Sequence, residues 1–149
     1  VVLRTVGNRT VAETADDVVT WLERLTGCPP VSHTKIAVCT HPSHGEDVAA
    51  AGWFYVEGDP TEGVARLRCL SGGHANDLLD SADRWTYPGV WACPSCSQSI
   101  AEVVYGINDE MGVAHWLFVA VRCVECGDVN GLTDMAAGDI PLEELLSKL

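Results

Sequence analysis

Apolar positions along this chain follow two different periods, and the change between them marks out its elements. Val11, Ala15, Val18, Leu22 and Leu25 recur at steps of four and three, widened by Val19 and Trp21. That is a helical period with one apolar stripe. Thr10 and Glu13 have the spacing of a capping box, and Asp16 and Asp17 follow where a helix dipole favours anions. Gly27 and the Pro29–Pro30 pair stop the pattern. The reading is a helix over 11–26 that packs on a core or meets a partner.

Further on the period shortens towards two. Lys35 to Val38 is extended and runs into Cys39. Trp53–Glu57 and Val64–Cys69 read as strands, separated by the turn residues Gly58 to Gly63. Ile100–Ile107 and Val113–Arg122 read as a second strand pair around Asn108–Gly112. The 113–122 segment is apolar on both faces, which predicts a strand covered from both sides. Residues 75–85 predict a short bridging helix with Leu78, Leu79, Ala82 and Trp85 on one face. Leu142, Leu145, Leu146 and Leu149 predict a C-terminal helix from about Pro141, packed on the core or docked in a partner's groove.

The cysteines give this pattern its chemistry. Cys93 and Cys96 form one C-x2-C pair, and Cys123 and Cys126, followed by Gly127, form another. Two such pairs across a hairpin can wrap one tetrahedral ion, and four thiolates favour zinc or iron. Cys39 and His44 are spaced C-x4-H, and so are Cys69 and His74. Cys39 to Cys69 and Cys93 to Cys123 are equal steps, and both second cysteines follow an arginine, Arg68 or Arg122. The turn between the strands falls a few residues earlier in the second copy. We read an internal repeat: a first site of Cys39, His44, Cys69 and His74, and a second of four cysteines. Gly72 and Gly73 let the backbone turn around an ion. The alternative for the first site is that its cysteines are buried small residues and its histidines ordinary surface. His41 is a competing ligand to His44. His33 and His115 are structural, and Cys28, beside the prolines, is a small buried residue.

Residues 90–128 resemble the zinc-ribbon superfamily through Cys93, Cys96, Cys123, Cys126 and Gly127. The resemblance covers about a quarter of the chain and implies a metal-capped hairpin, with only a weak pointer to transcription or translation. A narrower resemblance, to the transcript-cleavage factors of RNA polymerase, rests on Asp109 and Glu110 at the hairpin tip, a pair that in that family helps hold a catalytic magnesium. Here the following strand is longer and the basic residues beside the tip are missing. Rubredoxin-like iron also uses C-x2-C pairs, but Ser97 and Gln98 depart from that family's glycine and aromatic.

The expected fold is therefore α+β: tandem zinc-ribbon hairpin modules with an N-terminal amphipathic helix and a short C-terminal helix. The expected division is a helical segment at 1–30, a first ribbon at 31–86, a second at 87–130 and a tail at 131–149, with two Zn2+ per chain standing in for core that small modules lack.

Charge then narrows the function. The chain has 149 residues, seven cysteines and a formal net charge of −12, with only nine lysines and arginines. Seven is odd, so a fully paired disulfide framework within one chain is excluded. Metal-binding pairs fit a reducing cytoplasm, where we expect the protein. No segment reads as a membrane span. Sequence-independent nucleic-acid binding needs cations that this chain lacks. The expectation is a non-enzymatic, acidic regulator that binds another protein. A nucleic-acid binder using Arg66, Arg68 and Arg122 with Trp53 or Trp91 is the first alternative. An enzyme acting through Asp109 and Glu110 is the second.

Overall fold

The computed structural model describes residues 2–25, 29–44, 51–70, 72–85 and 89–149. Gly27 and Cys28 lie outside them.

The chain opens with a hairpin, β1 (Leu3–Val6) and β2 (Arg9–Ala12), turned by Gly7 and Asn8. Gly7 takes φ +64, a conformation that glycine adopts without strain. Helix α1 then spans Ala15–Glu23. It starts one turn later than the 11–26 reading, because Val11 and Ala12 belong to β2. The carboxylate of Asp17 caps its start, accepting from the amides of Val2, Glu13 and Thr14. Those bonds, the Val2 one first, hold Asp17 below its ordinary value against the opposing effect of burial.

Most of the remaining elements join one eight-stranded sheet. Its path is β10-β9-β8-β4-β5-β6, with β3 also paired to β8 and β7 to β4. The strands are β3 (His33–Ile36), β4 (Phe54–Asp59), β5 (Val64–Cys69), β6 (Ala75–Asp77), β7 (Gly89–Val90), β8 (Ile100–Glu110), β9 (Val113–Cys123) and β10 (Val129–Pro141). Every pairing is antiparallel. The described residues also include two short α-helices, α2 (Ser81–Arg84) and α3 (Leu142–Lys148), and a 3-10 turn at Pro42–His44.

This corrects the expected fold class. The molecule is mainly β, and tandem zinc-ribbon modules of an α+β chain are not its architecture. Phe54 and Tyr55 of β4 pair with Ala101 and Ile100 of β8, so the two expected hairpins share one hydrogen-bonded sheet. The 131–149 segment is not a tail either. Its first half is β10, which runs beside β9 with irregularities at Gly131–Thr133 and Ala136–Ile140. Only α3 matches the predicted C-terminal helix. Within 75–85, the predicted helix is reduced to α2, because Ala75–Asp77 pair with β5 as an edge strand.

The sheet rolls. Gly58 lies against the Leu132 side chain and Gly63 against the carbonyl of Asp134, so β10 crosses over the β4–β5 turn. The inside of the roll holds the main core: Val56, Leu67, Val103, Tyr105, Ile107, Leu117, Val119 and Val121, closed by Leu145 of α3. On the outside, Val104, Phe118 and Ala120 meet Val18 and Leu22 of α1. The predicted two-sided burial of the 113–122 strand thus has two partners. α1 covers one face and the rolled sheet covers the other.

Candidate metal centres

Four thiols converge where β8 begins and β9 ends. The sulfurs of Cys93, Cys96, Cys123 and Cys126 lie within 4.8 Å of one another. Cys93 Sγ is 3.6 Å from Cys126 Sγ, and Cys96 Sγ is 3.5 Å from Cys123 Sγ. A disulfide would need about 2.05 Å. Four thiolates placed tetrahedrally at the usual Zn–S distance of about 2.3 Å stand about 3.8 Å apart, so the cluster fits a zinc-sized ion.

The backbone explains the convergence. The Cys93 amide donates to the Gln98 carbonyl, and the Ser97 amide donates back to the Cys93 carbonyl. Cys123 makes the same two bonds with Asp128 and Gly127, and Cys69 makes them with His74 and Gly73. In each turn the fourth residue after the cysteine is left-handed: Ser97 at φ 65, Gly127 at φ 77 and Gly73 at φ 67. The turn folds the chain back so that the residue three places after Cys93 or Cys123, another cysteine, meets the first. Cys39 does not open such a turn; its amide donates to the Ala51 carbonyl.

Around the four thiols lies a charged shell that the spacing did not reveal. Asp128 is buried, and Ser95 Oγ donates to it at 2.8 Å. Arg9, from the N-terminal hairpin, reaches Asp128 at 3.3 Å and the Cys126 sulfur at 3.8 Å. The Ala12 amide donates to the Gly127 carbonyl at 2.9 Å. The first hairpin is therefore docked on the second knuckle. Burial pushes the Cys126 thiol up to about 12 and raises Cys123 as well. Cys96 is lowered, first by its bond with the Gln98 backbone. A divalent cation is the group that lets four such thiols ionise together.

The second cluster is smaller. The ligand atoms of Cys39, His44 and Cys69 lie within 4.8 Å of one another, and the Cys69 sulfur is 3.0 Å from His44 Nε2. The remaining residue of the expected set, His74, is outside that group. Its ring stacks on His41, with centroids 3.5 Å apart, and meets His44 edge-on at 6.1 Å. Burial, then the neighbouring His41 and His44, hold His74 below the ordinary histidine value. Burial likewise raises Cys39.

Both clusters sit at one end of the sheet. Cys69, Phe54, Ala101 and Cys123 are successive register partners across β5, β4, β8 and β9. At about 4.8 Å per strand the two centres are about 15 Å apart.

The arginines and Asp109 of the alternative readings are engaged elsewhere. Arg66 pairs with Glu57 and Asp77, Arg68 with Glu57, and Arg122 with Glu102. At the hairpin tip, Asp109 accepts from Ser32 Oγ, pairs with His33 Nδ1 at 2.7 Å and accepts from the Gly112 amide. It anchors the turn to β3. His115 pairs with Asp139 on the surface.

No protein family, no curated protein and no solved structure matches this chain. Among the described residues, no helix is long and apolar enough to cross a membrane.

Proposed function

We propose that this chain is a zinc-dependent, non-catalytic interaction module with two ions, one at Cys93, Cys96, Cys123 and Cys126 and one at Cys39, His44 and Cys69. The observation that carries the reading is the four-thiol cluster with its buried Asp128 and Arg9. Four protein ligands close a zinc ion to substrate, so its contribution is to the fold. It ties the start of β8 to the β9–β10 turn and, through Arg9, fastens the first hairpin.

The partner we propose is another protein. Trp53, Tyr55 and Val90 are exposed at 37%, 37% and 57%. Tyr55 and Glu57 share a face of β4, and Val90 is the register partner of Glu57. This leaves an apolar strip beside arginines already neutralised by Glu57 and Asp77. Such a strip suits a protein surface better than phosphates, which need free cations. The engaged Asp109 disfavours a magnesium site at the tip.

The test is a pull-down with the zinc-loaded chain and with a Trp53→Ala, Tyr55→Ala variant. The reading predicts one stoichiometric protein that the variant loses while keeping its zinc and its melting temperature. Equal recovery by both forms, or retention of nucleic acid at moderate salt instead, would overturn it.

A further inference from the structure

The four clustered thiols also meet in pairs. Two contacts cross from one knuckle to the other: Cys93 Sγ to Cys126 Sγ at 3.6 Å, and Cys96 Sγ to Cys123 Sγ at 3.5 Å. Each contact joins a hidden sulfur to a reachable one. Cys93 and Cys123 are 2% and 0% exposed, whereas Cys96 and Cys126 are half-buried. A reachable thiolate meets an oxidant first. A hidden thiol already in contact with it can then close a disulfide before a second oxidant arrives.

The packing around the knuckles is made by groups other than the thiols. Each turn is closed by its own backbone, from the Cys93 amide to the Gln98 carbonyl and from the Cys123 amide to the Asp128 carbonyl. The first hairpin is held by the Arg9–Asp128 ion pair at 3.3 Å, by the Ala12–Gly127 bond at 2.9 Å and by Arg122 Nε on the Ala12 carbonyl at 2.8 Å. What an ion adds is a tie between the two knuckles. A covalent bond across either sulfur contact makes the same tie, and each contact has about 1.5 Å to close to bonding distance.

We propose that the four-cysteine centre is a site of oxidative modification. Hydrogen peroxide converts it to two disulfides that cross the knuckles, Cys93–Cys126 and Cys96–Cys123, with release of the zinc ion and retention of the fold. The proposal rests on reading the four thiols as a zinc centre. In each pair the reachable thiolate attacks the peroxide O–O bond, takes one oxygen as a sulfenic acid and releases hydroxide. The hidden thiolate then attacks the sulfenic sulfur, forms the S–S bond and expels the second hydroxide. Two protons turn both hydroxides into water. Two electrons leave each sulfur pair and reduce one peroxide, so two peroxides spend all four thiolates and leave the ion without ligands there.

The experiment treats the full zinc-loaded chain with hydrogen peroxide. It follows zinc release with a chromogenic chelator, bridges by non-reducing peptide mapping with tandem mass spectrometry, and fold by circular dichroism. The expected result is loss of the ion held by the four cysteines, bridges at Cys93–Cys126 and Cys96–Cys123, and an unchanged spectrum. Dithiothreitol with a chelator then unfolds the oxidised chain, and dithiothreitol with zinc restores the ion. Bridges within the knuckles, Cys93–Cys96 and Cys123–Cys126, overturn the proposal and leave the zinc reading intact. So does zinc that stays bound under peroxide, a chain that unfolds as the ion leaves, or an oxidised chain that stays folded in dithiothreitol and chelator. A chain whose four cysteines hold no zinc before oxidation overturns the zinc reading itself.

Discussion

The Cys123 and Cys69 knuckles share a backbone turn and lie on one row of the sheet, but their surroundings differ. Behind Cys123 stand Asp128, Arg9 and the docked first hairpin, and the opposing ligands come from a second turn of the same kind. Beside Cys69 stand the stacked rings of His41 and His74, a cleft is reached at Cys39, and the opposing candidate ligands, Cys39 and His44, come from a segment without that turn. One turn can thus serve as a closed clamp or as the rim of a cavity. The difference lies in what the rest of the chain packs behind the turn.

The largest effect separating the two is removal of a ligand. Cys123→Ser should lose the clamp, whose zinc is worth about 10–16 kcal/mol in small zinc-folded units. That is comparable with the whole stability of a domain, so the expected circular dichroism is that of an unfolded or aggregated chain. Cys69→Ser should lose one ion and stay folded, with a cost within about 0.5–3 kcal/mol by denaturant titration. Equal damage from both changes would erase the distinction.

A finer probe compares the glycines of the two turns. At Gly127 an added Cβ would stand 2.6 Å from the Ala12 carbonyl oxygen, whereas at Gly73 it would meet nothing within 4 Å. Gly73→Ala should cost only the left-handed penalty of about 1–2 kcal/mol. Gly127→Ala should cost more, because the first hairpin must also shift. Thermal melts of the two variants give the order, and a reversal would mean that the hairpin does not dock there.

Smallest is the acid dependence of the hairpin–helix junction. Asp17 is depressed in the folded chain, so its contribution is present above the unfolded value of about 3.9 and is lost as pH falls through the folded value. Asp17→Asn should be less stable than the parent at pH 7, by about 1 kcal/mol, and the two should converge as pH falls through the folded value of Asp17. A constant gap across that range would exclude the carboxylate as the cause.

The four-cysteine centre was legible because C-x2-C spacing and the turn that uses it are both local. The fold was not. Pairing of Phe54 with Ala101 joins residues far apart in sequence, and no local pattern marks it. β10 was hidden because Gly131, Gly138 and Asp139, ordinary turn residues, sit in its irregularities. The first hairpin did carry a signal, Gly7-Asn8 between extended residues, but the helical spacing of Val11 with Ala15 drew β2 into α1. His74 has the spacing of a ligand and lies beside the Cys39, His44 and Cys69 cluster, with its ring stacked on His41. Asp128 and Arg9 had no signal at all, since one is a lone acid and the other approaches from the opposite end of the chain.

The most direct measurement is the metal content of the chain purified without added metal, by inductively coupled plasma mass spectrometry, with Cys69→Ser alongside. The account predicts two zinc ions per chain in the parent and one in the variant. A folded parent that carries no tightly bound metal would contradict it.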